Sequence, residues 1–287
     1  MTIDELLTLL TLERVEANLF RGFNQDIGSY SVFGGQVLAQ AMAAASATVE
    51  KRDMHSLHGY FLRAGDIKSP IIYDVDLIRD GGSFTTRRVV AMQHGRAIFN
   101  ASMSFQEAEE GLSHQSEMPD APPPESLASE QEVRFATADL LPEDQREMFV
   151  EQRPVEMRPV APEEIWSADS YPPQQMFWLR VMTPVVGPLA LHQAILAYSS
   201  DFYFLGTALR PHGKQFIRGD VQSASLDHAM WFHRPFRIDE WLLYVMDSPA
   251  ASGGRGLNLG KIYTREGVLV ASCAQEGLIR VLNKKGS

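Results

Sequence analysis

The segment SLDHAMWFHRPF, Ser225 to Phe236, gathers a hydroxyl, a carboxylate and two imidazoles in one short stretch. Groups of these types hold metal ions or relay protons. Their spacing argues against both uses. On a strand, His228 and His233 point to opposite faces and stand about 16 Å apart along the chain. On a helix the same spacing turns them about 140° from each other. Asp227 and His228 are adjacent, so a strand sends them to opposite sides. Parity puts Ser225, Asp227 and Ala229 on one face, with Leu226, His228, Met230 and Phe232 on the other. No G-x-S-x-G elbow occurs in the chain, so Ser225 does not read as an activated nucleophile.

Two further polar residues sit in apolar settings. Leu191, Ala194, Ile195, Tyr198 and Phe202 fall at helical spacing, with Asp201 at the flank of their stripe and Phe202-Tyr203-Phe204 directly after it. Desolvation there would raise the carboxylate toward the range of a general base. The pattern equally allows a solvent-facing carboxylate at a helix end. In VLVASCAQEGLIRVL, Gln275 shares a face with Leu269, Ala271 and Cys273. An amide on an apolar face needs partners, either backbone or a water. A carboxylate, a hydroxyl and an amide around one water would form a base-assisted hydrolysis site. Spacing alone does not bring Asp201, Ser225 and Gln275 together. His55 and His58, in HSLHGY, compete for the role of base because imidazoles titrate near neutral pH.

Composition bounds what such a site can serve. The chain has 287 residues, 45% hydrophobic and 22% charged, as expected of a globular protein of one large or two ordinary domains. No run approaches the roughly 18 apolar residues of a membrane span. The opening MTIDELLTLLTLERVE is acidic and amphipathic, without the basic start of a signal peptide. Cys273 is the single cysteine, which leaves no disulfide framework and no zinc cluster, and a reduced cytoplasmic setting is expected. A net charge of −10 argues against a nucleic-acid partner. An anionic small ligand stays open where local arginines overcome the global field.

The elements that must position these residues occur twice. In the first half, VFGGQVLAQAMAAASATV (32–49) is apolar nearly all round and predicts a buried helix starting at Gly34-Gly35. Strands are expected at 55–63, 71–79, 83–93 and 96–106, separated by Gly-containing turns. In the second half a helix is expected from about Pro188 to Phe202, then strands at about 220–233, 241–248, 256–264 and 268–282. Tyr60-Phe61 and Arg63 recur as Trp231-Phe232 and Arg234 at an offset of 171, as do Tyr73 and Asp76 in Tyr244 and Asp247. Gly95 recurs as Gly267 at 172, and Ala101-Ser102 as Ala271-Ser272 at 170. Ordered matches at nearly constant offset indicate an internal duplication. A curved antiparallel sheet wrapped around a long apolar helix, made twice, is an α+β tandem (double) hotdog. The expected division is residues 1–106 as the first repeat and 153–287 as the second. Between them, 107–152 forms a linker with short helices, its first part acidic, Pro-rich and disorder-like.

The segments VFGGQVLAQA, HSLHGYFLRAGD, PIIYDVDLIRDGGSFTTRRVVA, SSDFYFLGTALRPHG, SLDHAMWFHRPF and GVLVASCAQEGLIR together resemble the type II acyl-CoA thioesterases. The resemblance spans nearly the whole chain and is weakest over 107–175. It implies hydrolysis of acyl-CoA to free fatty acid and CoA, with no metal or organic cofactor. It also implies a catalytic Asp, Thr or Ser, and Gln, which fall on Asp201, Ser225 and Gln275. Many members carry Thr where this chain has Ser225. An oxyanion site at the helix start falls on Gly34 and Gly35, with His55 and His58 as further candidates for lining the substrate. The first repeat has Phe105 where the second has Gln275, so it is expected to be structural or ligand-lining. A homodimer or larger assembly is expected, because hotdog sheets commonly pair. A non-catalytic acyl-CoA sensor is the rival reading. A hotdog enoyl-CoA hydratase ranks lower, since Asp201 is followed by FYFLG without the paired His of that chemistry.

Overall fold

The computed structural model describes residues 1–282 apart from 215, 217, 218 and 220, and for Asp144 the backbone alone. Chain order runs α1 (Ile3–Leu10), β1 (Glu13–Glu16), β2 (Leu19–Gly22), α2 (Gly34–Ser46), β3 (Asp53–Phe61), β4 (Ile71–Asp80), β5 (Phe84–Gln93) and β6 (Arg96–Gln106). The connection carries α3 (Glu130–Thr137) and α4 (Glu143–Val150). Next come β7 (Glu156–Pro159), β8 (Gln174–Arg180), α5 (Leu189–Ser200) and a 3-10 helix at Leu205–His212. The chain closes with β9 (Val221–Ser225), β10 (Asp227–Phe232), β11 (Leu242–Ser252), β12 (Arg255–Thr264) and β13 (Leu269–Val281).

One antiparallel sheet joins both halves, in the order β1-β2-β4-β5-β6-β3-β10-β13-β12-β11-β8-β7, with β9 paired to β13 off this path. The order is a palindrome of equivalent strands about the β3–β10 seam. The register repeats that symmetry. His58 faces Ala229, its own equivalent at the offset of 171, while Asp227 faces Tyr60 and Trp231 faces Ser56, which exchange under the same offset. A pseudo-twofold axis therefore passes through the His58–Ala229 pair. This is a tandem hotdog, with α2 and α5 as its two wrapped helices.

Both helices are buried on every side, as their all-round apolar sequences require. Residues 192–200 of α5 are buried without interruption, and α2 is buried from Gly35 to Met42. The polar side chains inside find partners. Gln40 donates to Leu9 O at 2.8 Å and Phe23 O at 2.9 Å, and accepts from the Tyr73 hydroxyl at 2.7 Å. The start of α2 meets the end of α5 so closely that a Cβ on Gly35 would lie 2.4 Å from the Tyr198 carbonyl oxygen. Glycine is required there by close approach of backbone to backbone.

Several elements differ from expectation. The α5 helix starts at Leu189 with Pro188 as its N-cap, and it ends at Ser200. The strand expected from about 220 is split into β9 and β10 at Leu226, and position 220 itself lies outside the described residues, as do 283–287. The short strands β1, β2, β7 and β8 add edges that no alternation announced. The segment from Glu107 to Pro123 forms neither helix nor strand, yet it is tied down. Gln115 donates to Gly267 O at 2.7 Å and accepts from Leu269 N at 3.1 Å, and the Trp178 indole donates to Pro122 O at 2.8 Å. Its disorder-like composition reflects a solvent-facing strap, since its backbone bonds to a sheet that is already built.

Gly35→Ala should lower stability by about 1–3 kcal/mol, the usual cost of overpacking. Gly82→Ala, where nothing lies within 4 Å of the new Cβ, should stay within about 0.5 kcal/mol of wild type. Urea denaturation of the two variants measures the contrast.

Candidate active site

Asp201 is the residue that ends α5, at φ −82° and ψ −16°. Its Oδ2 accepts the Gly35 N–H at 2.9 Å, across the junction with α2. Its Oδ1 accepts from Gln275 Nε2 at 2.7 Å. Gln275 stands on the inner face of β13, between buried Cys273 and Gly277, and the same Nε2 lies 3.1 Å from Ser225 Oγ. The structure thus brings Asp201, Ser225 and Gln275 together around one amide nitrogen.

A β-bulge produces this convergence. Ser225 is paired with Gly277, and Ala229 with Ala274, so residues 226–228 face only 275 and 276. The extra residue resets the side-chain alternation. Unbroken parity would send Ser225 and His228 to opposite faces; the bulge turns both inward, which corrects the grouping read from the sequence. His228 then stands beside Gln275, with Nδ1 3.3 Å from Nε2, while its Nε2 lies 3.1 Å from Ser200 Oγ. Asp227 faces outward and closes the bulge, its Oδ1 accepting Glu276 N–H at 2.8 Å. His233 Nε2 bonds Ser272 Oγ at 2.9 Å in an exposed position.

Burial pushes the Asp201 carboxyl above its ordinary range, partly opposed by hydrogen bonds from Gln275, Gly35 and Ser225. Burial also pulls His228 down to about 3, so its ring is neutral at physiological pH. The other candidates lie elsewhere. His55 Nε2 bonds Ser104 Oγ at 2.8 Å, and exposed His58 packs edge-on against Trp231 with ring centroids 5.1 Å apart. Neither has a bond to Asp201. Gly35 spends its amide on Asp201, and a Cβ on Gly34 would lie 2.8 Å from Asp201 Oδ2.

A cavity of about 710 Å³ opens at Asp201. Apolar groups from three regions wall it, among them Ile27, Met148, Phe149, Ile165, Phe202 and Phe216. The connection between the halves therefore covers the site, which composition did not announce. The turn after Asp201 is also held by the connection. Tyr203 has a left-handed backbone, φ 62°, which a tyrosine adopts only when its surroundings enforce it. Its hydroxyl donates to Glu130 on α3, and its ring stacks on Phe177 with centroids 4.6 Å apart. Glu130, 2% exposed, pairs with Arg134 Nε at 3.0 Å and Arg153 Nη1 at 2.9 Å. Arg153 in turn lies over the Phe202 ring, 4.5 Å from its centroid.

Two family models match this chain. The one described as acyl-CoA thioesterase covers residues 144–278, and the one described as acyl-CoA thioesterase N-terminal domain covers 24–106. The chain is 41% identical to "Acyl-CoA thioesterase 2" of Haemophilus influenzae over 97% of its length and 98% of that protein. It is 42% identical to human "Acyl-coenzyme A thioesterase 8", over 96% of this chain and 88% of the relative. The crystal structure of acyl-CoA thioesterase II TesB2 from Mycobacterium marinum superposes with a TM-score of 0.79 at 43% identity, covering 98% of this chain and 99% of that one.

The Glu130 cluster can be tested apart from chemistry. Glu130→Gln leaves two guanidiniums without a buried counter-charge and should cost about 3–5 kcal/mol. Glu147→Gln, on the exposed side of α4, should change stability by less than about 0.5 kcal/mol. Urea midpoints at neutral pH give both values.

Proposed function

The chain belongs to the acyl-CoA thioesterase family and hydrolyses acyl-CoA, and we propose that Asp201, Ser225 and Gln275 activate the water that attacks the thioester. The observation that carries this assignment is the convergence on Gln275 Nε2, 2.7 Å from Asp201 Oδ1 and 3.1 Å from Ser225 Oγ. A carboxylate, a hydroxyl and an amide on one spot can orient a water and take its proton. His228 Nδ1 is directed at the Gln275 amide, so the imidazole does not serve as a base on Ser225.

Ionised Asp201 accepts a proton from water held by Ser225 and Gln275. The resulting hydroxide attacks the carbonyl carbon, and the carbonyl oxygen becomes an oxyanion. Collapse of the tetrahedral intermediate breaks the C–S bond, and the CoA thiolate leaves, to be protonated by Asp201 or solvent. The start of α2 supplies the positive end of a helix dipole for the oxyanion. With Gly35 N–H engaged by Asp201, Gly34 N–H is the donor assigned to it. The apolar part of the wall of the cavity beside Asp201 suits a fatty acyl chain.

Further readings extend this one. Residues 1–106 and 153–287 act as the two hotdog repeats and 107–152 as their linker, with the catalytic side chains confined to the second. His55, which bonds Ser104, and His58, which packs on Trp231, take no part in the reaction. A cytoplasmic location accords with a lone, buried Cys273. Tyr60 and Trp231, exposed near the pseudo-twofold axis, support a homodimer or larger assembly. The acidic balance of the chain accords with no nucleic-acid or membrane partner.

In a thiol-release assay with palmitoyl-CoA, Asp201→Asn should lower kcat by about 10²–10⁴, the range for removal of a general base. Gln275→Ala should lower it by at least about tenfold. Full activity in either variant would sink the assignment. Because the Asp201 carboxyl titrates above its ordinary value and works only when ionised, activity should fall as pH drops through a point above about 3.9. A kcat/KM profile that stays flat below that value would point to another base.

A further inference from the structure

His228 is fully buried, sits beside the proposed catalytic amide, and has no part in the steps above. Its partners fix its tautomer. Ser200 Oγ lies 2.8 Å from Ala197 O and 3.6 Å from Met230 Sδ, and with its proton given to either it accepts from His228 Nε2, 3.1 Å away. Nε2 therefore carries the hydrogen and Nδ1 carries a lone pair. That lone pair points at Gln275 Nε2 from 3.3 Å. The opposite tautomer would set N–H against N–H.

Gln275 needs its amide held. Among the described residues no donor faces its buried Oε1, so the protein's hold on the amide lies at its N–H end. At that end two N–H hydrogens have three acceptors within reach, Asp201 at 2.7 Å, Ser225 at 3.1 Å and His228 at 3.3 Å, so at most two of them are bonded at once. While Asp201 is ionised, its charge alone keeps the N–H end toward it. Once Asp201 has taken the proton of the attacking water, its O–H seeks an acceptor, and an amide turned by 180° would offer Oε1. We propose that His228 is a positioning residue, a permanently neutral acceptor that takes one N–H of Gln275 and so keeps the other on Asp201 throughout turnover. A turned amide would set Oε1 against the Nδ1 lone pair. Asp201 then keeps no partner that stabilises its protonated form, and its proton passes on with the leaving thiol. The depressed pKa of the ring agrees with this role, because an imidazolium would have no lone pair to offer.

The inference rests on the catalytic reading of Gln275, and the experiment separates the two. His228→Asn places Oδ1 where Nδ1 stands and keeps an acceptor; His228→Leu fills the space without one. Both are assayed for kcat, KM and melting temperature, alone and combined with Gln275→Ala. His228→Leu should lower kcat by about tenfold, the worth of one positioning hydrogen bond, with KM little changed. His228→Asn should recover most of that loss at similar melting temperature. In the Gln275→Ala background His228→Leu should add no further loss. Equal loss in Asn and Leu variants, or full activity in His228→Leu, overturns the role of His228 while leaving that of Gln275 intact. Full activity in Gln275→Ala overturns both.

Discussion

The structure turns on one junction, where the end of α5 meets the start of α2 over a buried carboxylate. Asp201 occupies the C-terminal end of its own helix, the end whose dipole repels negative charge. The compensation comes from the other helix, whose second residue gives its N–H to Asp201 Oδ2 at 2.9 Å. That bond requires the end of one helix to touch the start of the other, and touching requires Gly35 under the Tyr198 carbonyl. The two helices belong to halves related by the pseudo-twofold register of β3 on β10. One carboxylate thus depends on sheet register, helix contact and a missing Cβ together.

The two halves share one frame, and the side chains proposed for the chemistry belong to the second. The residue capping α2 is Ala47, where α5 has Asp201. The connection from α2 to β3 covers 47–52, whereas that from α5 to β10 covers 201–226. This longer passage begins at Asp201 and holds Ser225 just before its end. On the last strand, Phe105 fills the core of the first half where Gln275 reaches into the second. Yet the first half is not a bystander, because Gly35 belongs to it. The catalytic side chains proposed here lie in one repeat, and the amide that steadies Asp201 lies in the other.

What could be read from the sequence was whatever a local period or a repeated order encodes. Gly34-Gly35 marked the start of α2, 96–106 was expected as the strand observed at β6, and the offset of 171 reappears in the pairing of Asp227 with Tyr60. The inward face of Gln275 followed from plain alternation along β13. The bulge did not, because one extra residue between Ser225 and Ala229 is defined only against the partner strand. Parity accordingly separated Ser225 from His228, which the structure sets against the same amide. The Glu130–Tyr203 contact was equally out of reach, since residues 73 positions apart meet only after the connection folds over the site. A local signal was present in part: Tyr203 follows Asp201 directly in an aromatic run, but nothing in that run announces a left-handed tyrosine.

The same burial that shapes the site also decides which group there can hold a proton. Removing water penalises any charge, so it raises the Asp201 carboxyl and lowers the His228 imidazole. Had His228 kept an ordinary pKa, a cation two hydrogen bonds from Asp201 would stabilise the carboxylate and weaken it as a base. A neutral ring avoids that and still offers a lone pair to Gln275. Tyr198, one turn before Asp201, is likewise pushed up by burial and stays protonated. At this junction burial thus raises the Asp201 carboxyl while it leaves His228 neutral and Tyr198 protonated. The raised pKa of Asp201 comes from its desolvation, and a carboxylate so raised is a better acceptor for the water proton in the proposed step.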